Sequence, residues 1–484
     1  MSLRLYNTLS RSLEEFVPLS PPKVGVYACG PTVYRPPHVG NYRTFIFNDL
    51  LHRYLEWKGF EVRFVNNLTD VEDKIIEGAR QQGVHIERVT EPMIDAFFAD
   101  LDKLAILRAD NYPRATQHIE GMVELIQRLI DRGHAYATPD GSVYFAIGSF
   151  PEYGKLSRIE IEDVRSGAGL ATRERGVDSD EYTKEDARDF ALWKAAKDVD
   201  RQVGAVWSTP WGEGRPGWHI ECSAMSINEL GETFDLHTGG EDLIFPHHED
   251  EIAQSEGATG KPFVRYWLHV KHLLVNGEKM SKSKGNDYTI EDLFKQGYPP
   301  AAVRYLLLSA HYRKELNFTF EGLDTAKAAV RRLQDFDDRL AATAISEHAE
   351  PSSLPALAAR MLADFEAAMD DDLNTSAALA PVFDFVRETN AALDTQPVVK
   401  PEDLAAARDA VASIDRVLGV LELARAYSRD VQQDIAEWVE QRIAERQAAR
   451  GRRDFAAADA IRAELTAAGI IIEDTPGGVR WKRG

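Results

Sequence analysis

The sequence predicts an α/β protein whose N-terminal part is built on a parallel sheet and whose C-terminal part is mostly helical. Three observations lead to this prediction: a strand–helix–strand pattern near the N-terminus, an Ala-rich helical stretch from Leu323 onward, and a short strand pair at the C-terminus. At 484 residues the chain is too long for one ordinary core, so we expect several domains.

The strand–helix–strand pattern begins with two β-rich segments, "KVGVYAC" and "EVRFVNNLT". Between them, "HVGNYRTFIFNDLLHRYLEWKG" places Ile46, Leu50 and Tyr54 on one helical face and ends at Gly59. This order of elements is typical of the opening of a nucleotide-binding domain with a parallel sheet.

Three later segments differ from this opening. The region from about Ala135 to Val206 is rich in Gly, Asp and Arg, which indicates an insertion between the halves of the first domain. From Leu323 the helical spacing of apolar residues predicts a helical bundle. From about Ala424 the chain begins helical and ends in "GIIIEDTPGGVRWKRG", whose Gly-Gly turn predicts a small strand pair.

Composition limits the possible classes of function. The apolar fraction is 44%, no run reaches membrane-spanning length and the N-terminus lacks the apolar core of a signal peptide, so we expect a cytoplasmic protein. The net charge of −21 argues against a nucleic-acid partner for the surface as a whole. The C-terminal end is an exception, because it can bind a polyanion locally. Its basic residues, with one tryptophan among them, are Arg442, Arg446, Arg450, Arg452, Arg453, Arg480, Trp481, Lys482 and Arg483.

The two cysteines, Cys29 and Cys222, are far apart in sequence, and a reducing compartment would disfavour a disulfide between them. They are therefore free thiols or metal ligands. His247 and Glu251 are four residues apart and would share one face of a helix. Together the four side chains are a ligand set that suits Zn²⁺ better than Mg²⁺ or Ca²⁺.

Two alternatives to this zinc site stay open from the residues alone. The cysteines could be small buried apolar residues, with "HHEDE" as an ordinary helix start. In addition, His237 and His248 could compete as ligands.

Two further motifs indicate a nucleotide site. In "HVGN", His38 to Asn41, the glycine lets backbone and phosphate approach, and the helix N-terminus supplies free N–H groups. "KMSKS", Lys279 to Ser283, could bring two ammonium groups to a triphosphate. HVGN alone would mean little and KMSKS alone could be an exposed loop, but the two in this order are much more specific.

With these motifs the chain resembles the class I aminoacyl-tRNA synthetases and, among them, the cysteinyl-tRNA synthetase family. The resemblance rests on "YACGPTVYRPPHVGN", "NNLTDVEDKI", "DFALWKAAK", "GWHIECSAMS", "HTGGEDLIFPHHEDEIAQSE", "GEKMSKSKGN", "RRDFAAADAIRAEL" and "GIIIEDTP". It spans nearly the whole chain and is weakest in the Ala-rich stretch.

The resemblance implies a fold of five parts. These are a Rossmann-like parallel-sheet catalytic domain (1–120 and 206–265), an inserted connective subdomain (121–205), a stem-contact region with the KMSKS loop (266–322), a helical bundle (323–423) and a small mixed α/β anticodon-binding domain (424–484). A monomer is expected by the same resemblance.

The resemblance also implies a reaction in two steps. L-cysteine and ATP give cysteinyl-adenylate and pyrophosphate, and the cysteinyl group then passes to the 3′-terminal adenosine of tRNA(Cys). One zinc ion, held by Cys29, Cys222, His247 and Glu251, would select cysteine through its thiolate, since serine offers only a far less acidic hydroxyl. Mg²⁺ would accompany ATP.

Roles for further residues are implied by matching motif to motif. The cysteine pocket would contain Gly30, Thr32, Thr69, Trp218 and Asp242, the last holding the amino group. ATP would be bound by His38, Asn41, Gly239, Gly240 and Lys282, and the catalytic residues would be His38, Asn41, Lys279 and Lys282. The tRNA would contact Arg450, Arg452, Arg453 and Trp481.

The chain departs from the family pattern in three places. Arg35 stands where an acidic residue is common, and "TRERGVDSDEYTKEDARD" is slightly extended. In this family a persulfide activity is associated with paired lysines. Only Lys74 is present here, because Glu77 stands where the second lysine is expected, so we do not expect that activity.

Two rival functions remain. One is a ligase that joins cysteine to a glucosamine-inositol sugar, which would not need the basic end. The other is a non-catalytic RNA-binding relative, which should have lost "HVGN" or "KMSKS".

Overall fold

The computed structural model describes residues 2–159, 189–280, 285–475 and 478–483. The chain divides into two compact units, Met1–Val420 and Leu421–Gly484. Strands and helices alternate in the first half of the chain and helices dominate after residue 320, so the predicted mixed α/β architecture is confirmed. The predicted domain boundaries stay a prediction.

The centre of the first unit is a parallel sheet, preceded by a hairpin of β1 (Arg4–Asn7) and β2 (Ser12–Glu15). The sheet consists of β3 (Lys23–Ala28), β4 (Glu61–Asn66), β10 (Phe234–Gly240) and β11 (Val264–Val270). Its strand order is β11-β10-β3-β4, and all neighbours are parallel. The carboxyl ends of the four strands therefore meet at one edge.

Three helices make or precede the crossovers that parallel strands require. They are α1 (Val39–Trp57) between β3 and β4, α6 (Trp218–Leu230) before β10, and α7 (Glu249–Thr259) between β10 and β11. From β3 the chain moves outward to β4, whereas from β10 it moves outward to β11. The crevice between β3 and β10 is thus a switch point, where ligands of such sheets bind.

The chain between β4 and α6 forms helices and a second sheet. The helices are α2 (Asp73–Gln82), α3 (Ile86–Lys103), α4 (Ile119–Asp131) and α5 (Asp198–Gln202). The strands are β5 (Ala135–Ala137), β6 (Val143–Phe145), β7 (Phe190–Ala195), β8 (Trp207–Thr209) and β9 (Gly212–Pro216), antiparallel in the order β5-β6-β7-β9-β8. Most of the extended charged stretch, 172–188, lies outside the described residues.

A small sheet and a set of long helices follow β11. The sheet joins β12 (Leu273–Val275), β13 (Glu278–Lys279) and β14 (Leu316–Phe318), and the helices near it are α8 (Ile290–Lys295) and α9 (Pro300–Leu308). The long helices are α10 (Phe320–Ala342), α11 (Leu354–Asp370), α12 (Thr375–Thr395) and α13 (Pro401–Leu418), with short paired strands β15 (Ala344–Ile345) and β16 (Val398–Val399). The predicted helical bundle is therefore present.

The second unit contains α14 (Leu421–Gly451), α15 (Phe455–Ala467) and the antiparallel pair β17 (Ile470–Thr475) and β18 (Gly478–Arg483). Val439, Ile443, Leu465, Ile470 and Ile472 form its small apolar core. The strand pair was predicted from the "GIII" run and the Gly-Gly turn. Within the described part of the chain, no helix combines the length and apolar character needed to cross a bilayer.

Candidate active site and metal centre

Four metal-type side chains converge beside the carboxyl end of β3. Cys29 follows β3 directly and Cys222 lies on α6. His247 lies in the turn Ile244–His248, and Glu251 lies in the first turn of α7. All four are buried, with exposed fractions between 0 and 8%. The sequence prediction that these four residues meet is thus consistent with their positions in the structure.

The ligand atoms of this cluster lie within 4.8 Å of one another. The sulfur atoms of Cys29 and Cys222 are 3.9 Å apart, and Nε2 of His247 is 3.0 Å from Oε1 of Glu251. Two thiolates at Zn–S distances of about 2.3 Å in a tetrahedral site are separated by roughly 3.8 Å. The cluster therefore fits a zinc ion in both donor chemistry and spacing.

A second cluster shares two of these ligands. Cys29, His237, His248 and Glu251 also lie within 4.8 Å of one another. Nε2 of His248 is 3.3 Å from the sulfur of Cys29, and Nε2 of His237 is 2.9 Å from Oε2 of Glu251. From the sequence, His237 and His248 could compete as ligands, and the structure places both of them beside Cys29 and Glu251.

The pKa values in the cluster favour the ligand form for Cys222 and Glu251 and oppose it for Cys29 and for His247, whose pKa is raised chiefly by the charge of Glu251 against the effect of burial. A hydrogen bond from the Cys29 thiol lowers the pKa of Cys222 to about 6, while burial raises the pKa of Cys29 well above its ordinary value. Burial would raise the pKa of Glu251, but the charges of His237 and His247 outweigh it and lower that pKa to about 2. One thiolate and one carboxylate are therefore present near neutral pH, and a metal bound by all four residues would displace the protons of Cys29 and His247.

The position of His247 differs from its prediction on a regular helix. Phe245 has extended backbone angles (φ −139°, ψ 132°), and α7 begins only at Glu249. His247 nevertheless faces Glu251, because its Nδ1 lies 2.9 Å from Nδ1 of His219 and leaves Nε2 for the cluster. The ring of Trp218 packs on His247 at 4.3 Å between centroids.

The predicted cysteine pocket adjoins this cluster. Thr32 and Thr69 pair as an isolated parallel bridge, which joins the chain after β3 to the chain after β4. The backbone N–H of Gly30 donates to Oδ1 of Asn67 at 2.9 Å. A Cβ on Gly30 would overlap the carbonyl oxygen of Asn67, so only glycine fits this approach. Asn67 was not singled out from the sequence.

The HVGN motif forms the N-terminus of α1. His38 is the N-cap, its Nδ1 accepts from the backbone N–H of Asn41 at 3.3 Å, and Oδ1 of Asn41 accepts from the backbone N–H of His38 at 3.1 Å. Burial, and then the charge of Arg35, lower the pKa of His38. His38 is therefore neutral near pH 7, with its proton on Nε2.

The start of the KMSKS motif lies beside HVGN. The backbone N–H of Val39 donates to the carbonyl of Tyr288 at 2.8 Å, and the methyl of Met280 lies 3.5 Å from the Cβ position of Gly40. Lys279 is exposed. Lys282 lies outside the described residues.

Three other predicted residues lie after β10 or at its end. A Cβ on Gly239 would come within 2.6 Å of the His248 ring, and one on Gly240 would collide with Asp242. Gly239 therefore has to be glycine because its backbone packs directly against the ring of His248. Asp242 is exposed, and its charge acts on His38.

The second unit holds the predicted RNA contacts. Trp481 packs against the small apolar core, whereas Arg452 and Arg453 are exposed at the turn between α14 and α15. Arg450 lies in the last turn of α14. Phe455, which follows this turn, is 62% exposed and was not singled out from the sequence, although it stands next to the arginine cluster.

Comparison with known proteins matches most of the chain to one family. A family model described as "tRNA synthetases class I (C) catalytic domain" matches residues 15–328, a "DALR domain" matches 364–422, and a "Cysteinyl-tRNA ligase anticodon binding domain" matches 432–481. Curated relatives named cysteine–tRNA ligase align over 100% of both chains. They are from Chlamydia muridarum (46% identity), Solibacter usitatus (48%) and Symbiobacterium thermophilum (47%).

Among solved structures, a Mycobacterium tuberculosis methionyl-tRNA synthetase in complex with methionyl-adenylate has a TM-score of 0.58 to this chain. The alignment covers 90% of this chain and 96% of the other at 18% identity. At that identity the similarity concerns the fold alone, and it agrees with the Rossmann-like sheet.

Proposed function

The chain belongs to the cysteine–tRNA ligase family of class I aminoacyl-tRNA synthetases, and on that premise we propose how its residues activate L-cysteine. The reaction joins cysteine to ATP, releases pyrophosphate, and transfers the cysteinyl group from the adenylate to the 3′-terminal adenosine of tRNA(Cys). The observation that carries the proposal is the convergence of Cys29, Cys222, His247 and Glu251 at the carboxyl end of β3, the strand that leads into the HVGN motif.

In this proposal Cys29, Cys222, His247 and Glu251 hold one zinc ion. Bound there, zinc supplies a ligand position that prefers the thiolate of cysteine to the hydroxyl of serine. The chain contributes a buried site that excludes water. His219 fixes the ring of His247 from behind, and Trp218 covers that ring. Because selection occurs at the thiol, a purely steric pocket is not needed to reject serine.

ATP is bound on the HVGN side of the crevice. His38 accepts the Asn41 N–H through Nδ1, so its Nε2–H is the donor that it offers to a phosphate oxygen. Lys279 and Lys282 stabilise charge on the departing pyrophosphate, and Mg²⁺ accompanies ATP. Gly239 and Gly240 provide the backbone on which the adenosine lies. The attacking group is the cysteine carboxylate, so the protein needs no strong general base.

The second unit binds the tRNA anticodon. Its match to an anticodon-binding domain over residues 432–481 supports this role, and it disfavours the sugar ligase, which needs no such domain. Arg450, Arg452 and Arg453 contact the RNA backbone, with Trp481 nearby. Phe455 offers a more accessible surface for stacking than Trp481, since Trp481 packs on the core.

The test is cysteine-dependent ATP–pyrophosphate exchange by the purified protein, with its zinc content measured, alongside charging of tRNA(Cys). We expect exchange with cysteine and not with serine, about one zinc per chain, and charged tRNA. Cys222→Ser should lose both zinc and exchange, whereas Met225→Leu, a volume-conserving change on the same helix, should lose neither. Full exchange in zinc-free protein would disprove the role of the metal.

A further inference from the structure

A row of four buried polar side chains leads away from the metal cluster behind His247. Nδ1 of His247 lies 2.9 Å from Nδ1 of His219 on α6, and Nε2 of His219 lies 3.5 Å from Oδ2 of Asp250 on α7. The hydroxyl of Tyr153 donates to Oδ1 of Asp250. All four side chains are at most 5% exposed. The row therefore connects His247 to the part of the chain between β6 and β7, where Tyr153 lies.

The direction of hydrogen bonding along this row follows from what a metal ligand requires. When Nε2 of His247 binds a metal, the ring proton of His247 must lie on Nδ1. That proton is donated to Nδ1 of His219, so His219 carries its own proton on Nε2, the atom that faces Asp250. Asp250 is then the acceptor at the end of the row, and the Tyr153 hydroxyl donates to its other oxygen.

The opposite direction would block the metal. If His219 carried its proton on Nδ1, it would donate that proton to Nδ1 of His247. His247 would then hold its own proton on Nε2, which is the atom that must bind the metal. The carboxylate of Asp250 favours the first arrangement, because an acceptor stabilises the histidine form that has its proton on the nitrogen facing it.

The preceding carboxylate of α7 has a different task. Glu249 is fully buried and accepts from three backbone N–H groups, those of Gly154 (2.9 Å), Leu156 (3.1 Å) and Ser157 (2.7 Å). The turn requires glycine at Gly154, whose φ is +96°. These three bonds hold the segment 153–157 against the first turn of α7. Tyr153 is thereby placed on Asp250, and the carboxylate of Asp250 is fixed from the side opposite His219.

We propose that Asp250 is a positioning residue of the metal centre, which acts through His219 to keep the proton of His247 on Nδ1 and to leave Nε2 for the metal. The inference rests on the proposed function, because it assumes that His247 is a zinc ligand. A buried carboxylate is unfavourable by itself, and here it contributes to metal affinity by orienting a ligand that it does not touch.

The experiment measures the zinc affinity of the full-length protein by competition with a chelator of known affinity. Asp250→Leu removes the acceptor at similar volume, and we expect it to weaken zinc binding about 10- to 100-fold. Asp250→Asn keeps an acceptor oxygen for His219, and its amide can donate to the hydroxyl of Tyr153. It should therefore stay within about threefold of the unsubstituted protein. Tyr153→Phe keeps Asp250 but removes the donor that fixes it, and should cost about three- to tenfold.

A merely structural role of Asp250 predicts another pattern. It would lower the melting temperature of the zinc-free protein and leave the zinc affinity of the folded protein unchanged. Tyr54→Phe is the matched control for Tyr153→Phe. The Tyr54 hydroxyl donates to Asp370 at 2.7 Å in an equally buried pair between α1 and α11, which contribute no residue to the metal cluster. Its loss should leave zinc affinity unchanged.

The visible spectrum of Co²⁺-loaded protein is a second readout, because it depends on the ligands of the metal and on their geometry. The spectrum of Asp250→Leu should differ from that of the unsubstituted protein, and Asp250→Asn should restore it.

Two results would overturn the inference: zinc affinity of Asp250→Leu within about threefold of the unsubstituted protein, or an equal loss in Asp250→Leu and Asp250→Asn. If Asp250→Leu does not fold, a crystal structure of the zinc-loaded, unsubstituted protein decides. A separation of at most about 3.2 Å between Nε2 of His219 and a carboxylate oxygen of Asp250 supports the inference, and a longer one overturns it. If the unsubstituted protein takes up no zinc, the proposed function itself fails.

Discussion

Arg35 and Asp287 form an ion pair between the segment before HVGN and the segment after KMSKS, with Nη1 and Oδ2 3.3 Å apart. Both side chains are mostly buried, at 28 and 22% exposure. The pair flanks His38, on which the two charges act in opposite directions: Arg35 lowers its pKa and Asp287 raises it. Arg35, which stands where the family commonly has an acidic residue, thus has an acidic partner in the segment after KMSKS.

This pair predicts how exchange activity depends on pH. His38 must be neutral to bind Asn41 through Nδ1 and donate from Nε2, so activity falls as pH drops through the pKa of His38. Arg35→Ala removes a cause that lowers this pKa, so the acid limb of kcat/KM for ATP should move to higher pH. Asp287→Asn should move it to lower pH. Activity at pH 8 should change less than about threefold in each. The charge of Asp242 also raises the pKa of His38 and stays in place in both variants. A shift of the acid limb in the same direction for both variants would contradict this account.

The two overlapping metal clusters predict unequal effects of two histidines. If Cys29, Cys222, His247 and Glu251 are the ligands, His247→Gln should weaken zinc binding by more than about 100-fold. His248→Gln alters a neighbour of Cys29 and Glu251 without removing a ligand, so it should cost about tenfold or less. Competition with a chelator of known affinity measures both. A larger loss in His248→Gln would assign the metal to the second cluster.

Glycines at two positions should respond oppositely to alanine. Gly30→Ala forces the chain away from the carbonyl of Asn67, so we expect a loss of about 2 kcal/mol or more in the free energy of unfolding, together with loss of exchange. Gly78→Ala lies inside α2, where the new methyl meets only Val89 at 3.9 Å, and should stabilise by about 0.5–1 kcal/mol. Thermal unfolding of both variants tests this. A stable, active Gly30→Ala protein would contradict the packing argument.

Phe455 should affect tRNA and not amino-acid activation. Phe455→Ala should raise the KM for tRNA about tenfold, because a stacking surface is lost, and leave ATP–pyrophosphate exchange unchanged. Tyr427→Ala removes another exposed aromatic ring from α14, far from the arginine turn, and is the control. Equal effects of the two substitutions on charging would argue against a specific contact of Phe455.

Residue type and spacing predicted the parts of the molecule that depend on local pattern. Helical periodicity predicted α1, and the rarity of cysteine drew attention to Cys29 and Cys222. Exposure could not be predicted in the same way. Trp481 was predicted to contact RNA and Phe455 was not considered, because the burial of each ring depends on how α14, α15 and the strand pair pack. Glu221 lies within "GWHIECSAMS" and was not singled out, because only the fold shows that, among the described residues, its Oε2 is buried without a hydrogen-bond donor.

The separation of the cluster in sequence has a consequence for biosynthesis. Cys29 emerges from the ribosome roughly 220 residues before Glu251, which at about 5–20 residues per second corresponds to about 10–45 s of translation. During that interval the nascent chain carries a thiol that the proposed zinc site cannot yet protect from oxidation or from capture of another metal. Newly made protein should therefore depend on thiol-reducing conditions more strongly than the finished, metal-loaded protein does.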